Sequence, residues 1–268
     1  MEADMQVLMC KPRYFRIGAE DHDINPHMKT DKQPDVSLAF EQFYRLLDLY
    51  AKLGISTHFL SPQEPLYDQV FTANTAWGVG KTFVMANMRP EWRREESAIT
   101  AQWLTSQQLD VRWLPKNIFF EGQGDIITTK EAYLYCYGIR NNVEAISELP
   151  GLLDLKRPLV LLRLVTPEMY HGDVCLRYLG PEADKIIWCP EAFDHESNGR
   201  IERLNAKKLA VPKEFAIQNL ENGRRNFPIN GIYYGGVCTF PWNNACGKLP
   251  GYVVDFAKSG GCEPIEID

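Results

Sequence analysis

Short runs of apolar residues, separated by polar segments, recur along the chain and predict a series of strands and helices. Apolar side chains at helical spacing from residue 36 to residue 53, ended by Gly54, predict the first long helix. Helical spacing also appears in the stretch that ends at residue 104 and in residues 143–149. The runs that predict strands are residues 6–10, 55–60, 82–88, 110–114, 132–137, 159–165, 174–179 and 185–189. This alternation of strands and helices is typical of an α/β protein.

The last third of the chain is less regular. Residues 229–236 predict a hairpin, residues 237–251 predict a loop, and residues 252–256 predict a strand. No linker of low complexity and no clear sequence repeat interrupts the alternation of elements. We therefore expect residues 1–268 to form a single domain.

Composition and charge limit the kinds of function that the chain can have. The chain has 268 residues, of which 45% are hydrophobic, and a formal net charge of −6. A sizeable core is expected, while nucleic acid and anionic membrane surfaces are poor partners for such a charge. No apolar run approaches the length of a membrane span, and the acidic residues 1–4 lack the pattern of a signal peptide. We expect a cytoplasmic protein without a membrane or nucleic-acid partner.

The number and spacing of the cysteines bear on disulfides, metal sites and the redox compartment. There are seven of them, an odd number, and no two form a C-x-x-C pair, which argues against a disulfide scaffold and against a tetrahedral zinc site. A reducing compartment with mostly buried thiols is the simpler interpretation, and it leaves one thiol available as a nucleophile. The seven are Cys10, Cys136, Cys175, Cys189, Cys238, Cys246 and Cys262.

The stretch Phe119-Phe120-Glu121-Gly122-Gln123-Gly124-Asp125 places a carboxylate at the end of an apolar segment. A buried carboxylate is costly unless it meets a cation or hydrogen-bond donors, so Glu121 is a candidate for binding a positively charged group. Gly122 and Gly124 allow the backbone to take a positive φ or to pass close to a ligand. The alternative is a glycine-rich turn in which Glu121 is solvated.

The second stretch with candidate chemistry is His171-Gly172-Asp173. If it is a strand, His171 and Asp173 point to the same side, which suits a histidine that acts as acid or base beside a carboxylate. A histidine with a purely structural hydrogen bond is the alternative. Together with Glu121, these side chains would form a negative pocket that contains a proton carrier.

Five motifs occur in an order that resembles one enzyme family. They are Phe71-Thr72-Ala73-Asn74, Glu121-Gly122-Gln123-Gly124-Asp125, Tyr137-Gly138-Ile139-Arg140, His171-Gly172-Asp173 and Lys258-Ser259-Gly260-Gly261-Cys262. Taken together they resemble the guanidino-group-modifying enzymes, which include arginine deiminase, dimethylarginine dimethylaminohydrolase, arginine dihydrolase and amidinotransferase. The resemblance extends from about residue 7 to about residue 188 and returns near residue 258. It implies a single-domain, five-bladed pseudosymmetric α/β propeller, or pentein, with the active site in its central channel.

The resemblance also implies roles for individual residues. His171 resembles the general acid/base of the family, and Cys262 resembles its nucleophile. Glu121 and Asp173 resemble the carboxylates that hold a guanidinium group, and Arg140 would bind the α-carboxylate of a small-molecule guanidino substrate. The expected chemistry is attack of a Cys262 thiolate on the guanidinium carbon, followed by hydrolysis of the covalent thiouronium. Neither a metal nor an organic cofactor is expected.

Within the family, Asn74 and the segment Asn25-Pro26-His27-Met28 most resemble the arginine dihydrolase branch. Asn74 stands where arginine deiminases carry a carboxylate, and its amide can accept from a guanidinium without adding charge. Asn25 lies in a long polar segment, residues 15–32, of the kind that often forms a lid. Both asparagines are expected to bind substrate. Arg93 has two interpretations, a charged start of a helix or a further substrate contact.

The C-terminal motif departs from the family pattern. Cys262 follows Gly261 directly, without the usual spacer, and Pro264 is awkward in the strand expected next. Cys238 and Cys246 are the alternative nucleophiles. The leading hypothesis is an arginine dihydrolase-like hydrolase, and the close alternative is a dimethylarginine dimethylaminohydrolase. A non-catalytic arginine-binding protein is the alternative from another class, an amidinotransferase is the weaker one, and a homo-oligomer is left open.

Overall fold

The computed structural model describes residues 5–18, 25–220, 225–242 and 248–267. They form a mixed α/β fold, as the alternating pattern predicted. The helices are α1 Val36–Lys52, α2 Arg94–Ser106, α3 Ala145–Leu152, α4 Gly180–Ala183, α5 His195–Arg203, α6 Lys213–Ala216 and α7 Gly251–Lys258. The strands are β1 Gln6–Cys10, β2 Ser56–Leu60, β3 Ala76–Val79, β4 Thr82–Met85, β5 Asp110–Trp113, β6 Ile126–Thr128, β7 Tyr133–Tyr137, β8 Leu159–Arg163, β9 Leu176–Tyr178, β10 Lys185–Trp188, β11 Lys207–Ala210, β12 Gln218–Asn219, β13 Arg225–Asn226, β14 Tyr233–Tyr234, β15 Val237–Pro241 and β16 Glu263–Ile267. In this part of the chain, no helix is both long enough and apolar enough to span a membrane.

One strand order recurs four times among the described residues. In the sheet β3-β4-β5, the first strand is antiparallel to the second, and the second is parallel to the third. The sheets β6-β7-β8, β9-β10-β11 and β14-β15-β16 repeat this order. A helix lies in sequence between the second and third strands of each sheet, because a parallel pair needs a long crossover connection. Strands β1 and β2, which precede and follow α1 in the sequence, form a two-stranded parallel sheet.

The chain divides into two compact units. Unit 1 consists of Met1–Gln123 and Arg140–Leu155, and unit 2 consists of Gly124–Ile139 and Lys156–Asp268. Strands β1 to β5 and helices α1 to α3 belong to unit 1, and the remaining elements belong to unit 2.

In unit 1, the first helix has the limits that its sequence predicted. The Asp35 carboxylate accepts from the backbone N–H groups of Ser37 at 2.9 Å and Leu38 at 3.1 Å. It thereby satisfies two amides that have no partner within the helix. Gly54 follows the helix with a φ of 74°, a conformation that glycine adopts without strain. These ends confirm the helix predicted over residues 36–53.

The largest hydrophobic cluster lies in unit 2, around strands β7 and β10. Leu134 on β7 and both Ile186 and Ile187 on β10 are 0% exposed. Each such side chain contributes roughly 1.5–3 kcal/mol when it leaves water. Strands buried on both faces appear as continuous apolar runs. That is why the pattern predicted these strands correctly.

One strand predicted in the last third was wrong. Residues 252–256 lie in helix α7, not in a strand. Val253 and Ala257, one helical turn apart, are both buried, so the helix presents one face to the core. The β-branched and aromatic side chains that suggested a strand are accommodated by this packing, which overrides local propensity.

The preceding segment contains a hairpin that extends further along the chain than predicted. Strands β14 and β15 pair in antiparallel fashion, and Gly235 and Gly236 turn between them with φ values of 57° and 77°. This confirms the hairpin predicted near residues 229–236. The loop predicted from residue 237 was wrong at its start, because Val237–Pro241 forms β15 and pairs with β16 as well.

A buried lysine joins β10 to the end of α7. The ammonium of Lys185 donates to the carbonyl of Phe256 and, at 2.6 Å, to the hydroxyl of Ser259. Burial lowers the pKa of Lys185, because the charged form loses its hydration. A Cβ at Gly260 would come 2.7 Å from the Lys185 side chain, so glycine is needed at this close approach.

We expect Lys185→Ala to lower the free energy of unfolding by about 2–4 kcal/mol, because its acceptors lose their donor and a cavity opens. Lys207→Ala is the matched control, since Lys207 pairs with Lys185 in the β10–β11 register but is exposed. The control should change stability by less than about 0.5 kcal/mol. Urea unfolding followed by circular dichroism measures both variants. Equal losses would contradict an anchoring role for Lys185.

Candidate functional site

In unit 1, Glu121 is fully buried and its carboxylate is bound by the chain itself. Oε2 accepts from Nη1 of Arg140 at 2.8 Å, and Oε1 accepts from the backbone N–H of Arg89 at 3.2 Å. The Asn141 side-chain oxygen accepts from the backbone N–H of Glu121 at 2.7 Å. Glu121 therefore meets a cation, as its burial requires. That cation is the arginine predicted to bind the α-carboxylate of a substrate, and sequence reasoning missed this contact.

Gly122 allows the glycine-rich motif to approach the 3₁₀ turn Thr72–Thr75. Its φ is +60°, and a Cβ there would lie 2.7 Å from the carbonyl oxygens of Ala73 and Ala76. Only glycine fits this conformation and this distance. The positive φ and close approach expected for the motif are present, and the group approached is the backbone of the chain.

Asn74 and Arg93 contact each other in the same unit. Both are buried, and Oδ1 of Asn74 accepts from Nη1 and Nη2 of Arg93, each at 3.4 Å. The guanidinium also pairs with Glu96 at 2.9 Å and with Asp68 at 3.6 Å. Burial disfavours the charged form, but the carboxylates of Glu96 and Asp68 outweigh it and raise the pKa of Arg93 above its ordinary value. Asn74 thus accepts from a guanidinium, which here is that of Arg93.

Asn25 is buried in a turn of unit 1. Its Oδ1 accepts from the backbone N–H of His27 at 3.0 Å, and its carbonyl accepts from the N–H of Met28 at 3.1 Å. The Asn side chain thereby replaces a backbone acceptor in the turn. The preceding residues of the predicted lid, 19–24, lie outside the described residues.

In unit 2, His171 is buried beside a carboxylate that sequence reasoning did not assign to it. Its Nδ1 lies 2.8 Å from Oδ2 of Asp125, and Oδ1 of Asp125 accepts from the backbone N–H of Gly172 at 2.9 Å. His171 is 5% exposed and Asp125 is 1% exposed. The ring of Tyr170 lies edge-on to the imidazole at 5.0 Å between centroids. The only sequence signal for Asp125 is its place at the end of the glycine-rich motif.

There is no room for a side chain at Gly172. A Cβ would come 2.5 Å from Sγ of Cys136 and 3.0 Å from Cδ1 of Ile127. The thiol of Cys175 donates to the carbonyls of His171 and Gly172, each at 3.4 Å. These contacts fix the backbone of the His-Gly-Asp motif.

Asp173 follows in a 3₁₀ turn, Gly172–Val174, so the strand considered for this motif was wrong. Burial raises the pKa of the Asp173 carboxyl to about 7, and the negative charge of Asp125 adds to the rise. The neighbouring His171 and a hydrogen bond with Asn230 act in the opposite direction. Asp173 therefore changes its charge near neutral pH, next to the histidine. Sequence reasoning missed Asn230, which lies far away in the chain.

Cys262 forms a disulfide with Cys238, with 6.1 Å between the two Cα atoms. Both are buried. The two predicted nucleophiles are thus bonded to each other, and neither sulfur is a thiolate in this form. The third candidate, Cys246, lies outside the described residues. The strand expected after Cys262 is present as β16. Among the described residues it lies at the edge of its sheet beside β15, and an edge strand tolerates a proline such as Pro264 because one of its sides needs no backbone donor.

The other described cysteines are buried thiols, as the composition predicted for most of them. Burial raises the pKa of Cys10 and of Cys189 to about 12, and it raises those of Cys136 and Cys175 well above the ordinary range. None of the four is a thiolate near neutral pH. Among the described cysteines, a nucleophile has to come from the disulfide pair. The same residues contain no group of three or more His, Cys, Asp or Glu side chains that could hold a metal ion.

The chain is similar to known proteins over most of its length. The family model described as "N,N dimethylarginine dimethylhydrolase, eukaryotic" matches residues 11–214. The chain is 32% identical over 203 residues to the N(G),N(G)-dimethylarginine dimethylaminohydrolase of Mycobacterium tuberculosis. This match covers 76% of this chain and 64% of the relative. It is also 29% identical over 222 residues to the bifunctional arginine dihydrolase/ornithine cyclodeaminase AgrE of a Nostoc species. This second match covers 81% of this chain and 30% of the relative. The chain thus spans less than two thirds of the length of each relative.

A solved structure shares the fold. The N-terminal domain of ArgZ, described as an arginine dihydrolase from cyanobacteria with bound substrate, has a TM-score of 0.84 at 24% identity. The match covers 98% of this chain and 91% of that domain. It supports the mixed α/β fold.

We expect Gly172→Ala to lower the free energy of unfolding by about 2–4 kcal/mol, because the new Cβ collides with the Cys136 sulfur. Gly151→Ala is the matched control, since a Cβ at that glycine meets no atom within 4 Å. The double variant Gly172→Ala/Cys136→Ala removes the closest contact and should recover part of the loss. Urea unfolding measures all three. A Gly172→Ala variant as stable as the control would contradict the steric argument.

We expect Asp173→Asn to be more stable than the wild type at pH 8, by about 1–3 kcal/mol. The folded-state pKa of about 7 exceeds the ordinary value of 3.8. The stability contributed by the protonated carboxyl is therefore complete below about pH 4 and is lost as the pH rises to about 7. The asparagine side chain of the variant does not titrate, so the variant does not lose this stability as the pH rises. Urea unfolding at pH 5 and pH 8 measures the difference, and a steeper fall in the variant than in the wild type would refute the assignment.

Proposed function

This chain belongs to the N,N-dimethylarginine dimethylhydrolase family, and from that premise we propose that it is a hydrolase of guanidinium C–N bonds. The proposed substrate is arginine or an N-substituted arginine, with arginine dihydrolase-like chemistry. In that reaction arginine and two waters give ornithine, two molecules of ammonia and carbon dioxide. The names of the two relatives above, one for dimethylarginine and one for arginine, support this substrate class.

The observation that carries the proposal is the buried imidazole of His171, whose Nδ1 lies 2.8 Å from the carboxylate of Asp125. Hydrolysis of a guanidinium needs a proton for the departing amine and a base for the attacking water. A histidine serves both steps best when its surroundings keep it in one place and exclude bulk water. Burial raises the pKa of Asp173 to about 7, so the same turn also contains a carboxyl that exchanges protons near neutral pH.

The proposed nucleophile is Cys262 in its reduced form. A dithiol reductant would transfer two electrons and two protons to the disulfide, leaving Cys238 and Cys262 as thiols and the reductant as a disulfide. The Cys262 thiolate then attacks the guanidinium carbon, and His171 protonates the departing amine. Water activated by His171 then hydrolyses the covalent intermediate, which releases citrulline and frees the Cys262 thiolate. A second water hydrolyses citrulline to ornithine, the second ammonia and carbon dioxide.

Further residues are also proposed to contact the substrate. Glu121 and Asn74 already accept from the guanidinium groups of Arg140 and Arg93, so their oxygens suit a planar cation in a buried setting. A substrate guanidinium would extend or exchange these contacts, and the two arginines would then be available to a carboxylate. Asn25 is proposed as a further substrate contact.

The five-bladed α/β propeller implied by the resemblance, as a single domain over residues 1–268, is part of the same proposal. The recurring strand order of the sheets supports it. A cytoplasmic location is also proposed, with support from the four buried free thiols. In that reducing compartment the Cys238–Cys262 pair would be present as thiols. The substrate is the proposed partner, and a homo-oligomer stays open.

Two alternatives have specific support. The description of the matching family model favours dimethylarginine, from which hydrolysis would release dimethylamine and citrulline. The disulfide at Cys262 favours a protein that binds arginine without turning it over. The two alternatives and the main proposal differ in their products, so one assay separates them.

We expect protein reduced with dithiothreitol to convert arginine into ornithine and ammonia, detected by chromatography. Cys262→Ser should be inactive with or without reductant. Cys238→Ser should be active without reductant, because it leaves Cys262 as a thiol. This pair of variants separates the need for the Cys262 sulfur from a general effect of reduction.

Other results would contradict the main proposal. Dimethylamine from dimethylarginine, with no ammonia from arginine, would assign the chain to the dimethylarginine branch. Calorimetric binding of arginine without product would favour the binding protein. Wild-type turnover by reduced Cys262→Ser would remove Cys262 from the reaction.

A further inference from the structure

One carboxylate in unit 2 contacts both the ring and the backbone of the His171 turn. Oδ2 of Asp125 lies 2.8 Å from Nδ1 of His171, while Oδ1 accepts from the N–H of Gly172 at 2.9 Å. The resemblance assigns roles to Glu121 and Asp173 but none to Asp125. We propose that Asp125 is a positioning residue, which holds His171 in one orientation and one tautomer so that Nε2 is the nitrogen that exchanges the catalytic proton. This inference rests on the proposed function.

The donor and acceptor types of the three groups determine the tautomer. An ionised carboxylate only accepts hydrogen bonds, and the backbone N–H of Gly172 only donates. Nδ1 of His171 therefore has to carry a proton to bond to Oδ2 of Asp125. In the neutral imidazole, Nε2 is then the basic nitrogen, and protonation of the ring occurs there.

Further contacts hold the backbone of the turn and pack against the ring. The Cys175 thiol donates to the carbonyls of both His171 and Gly172, and the Tyr170 ring packs edge-on against the imidazole. Gly172 can bring its N–H to Asp125 only because it has no Cβ, which would collide with Cys136. The carboxylate is thus met by a backbone that packing holds in place, which is the arrangement that preorganises a catalytic base.

The substitution Asp125→Asn tests this with a clear expected outcome. The N–H of Gly172 still needs an acceptor, so the asparagine should turn its Oδ1 to Gly172 and its NH₂ group to the imidazole. Nδ1 then has to accept, and the proton moves to Nε2. We expect the tautomer of His171 to switch while the fold is kept.

The tautomer is read directly from ¹⁵N NMR of the imidazole rings. The chain has five histidines, so the His171 signal is assigned by its loss in His171→Gln. Asp125→Glu keeps an ionised acceptor and should keep the wild-type tautomer. Asp194→Asn is the matched control, because Asp194 is also a carboxylate of unit 2 that accepts from a backbone N–H, that of Ser197 at 2.8 Å. It should leave the His171 signal unchanged.

In the turnover assay, kcat of Asp125→Asn should fall by roughly 10²–10⁴-fold, with KM within about threefold of the wild type. Asp125→Glu should recover part of kcat. An unchanged tautomer in Asp125→Asn, or a kcat within about threefold of the wild type, would overturn the inference. If the wild type turns over no guanidino substrate, the proposed function fails, and the NMR result still decides whether Asp125 positions His171.

Discussion

A charge that leaves water needs an opposite charge or a full set of hydrogen bonds, and this constraint governs the polar interior of both units. Glu121 meets Arg140 at 2.8 Å in unit 1, and Asp125 meets His171 at 2.8 Å in unit 2. Breaking one such pair leaves an uncompensated buried charge, which costs about 3–5 kcal/mol. The candidate functional side chains are therefore set in position by the same interactions that make their burial tolerable.

In unit 2, two further buried cations donate to carbonyl groups. Arg177 on β9 donates to the carbonyls of Ile232 and Thr239, and burial lowers the pKa of Arg177 to about 9. Lys185 on β10 donates to the carbonyl at the end of α7 in the same way. These contacts attach the hairpin β14–β15 and the end of α7 to the neighbouring strands. The segments that lead to both disulfide sulfurs are thus held by buried polar contacts as well as by apolar packing.

The disulfide gives a structural meaning to the difference between the C-terminal motif and the family pattern. Without the usual spacer, Cys262 lies just before β16, and its Cα is 6.1 Å from that of Cys238 on β15. Two thiols at that separation can be bridged without movement of the backbone. The chemistry proposed for this chain therefore depends on redox state, because a sulfur in a disulfide is not a thiolate and does not act as the nucleophile. Burial of the four free thiols in the described residues removes those four as substitutes.

The sequence by itself determined most of the local elements and the residue types that carry chemistry. Periodicity was sufficient for α1 and for the buried strands, because the spacing of apolar side chains is a local property. It failed at residues 252–256, where tertiary packing selected a helix over the strand that the residue types favour. His171 stood out in its motif, yet only the tertiary structure showed that Asp125, 46 positions earlier, is its partner. Likewise, only the folded chain paired Cys262 with Cys238, 24 positions away. Such pairings depend on how distant segments pack in space, and no local pattern of residues encodes that.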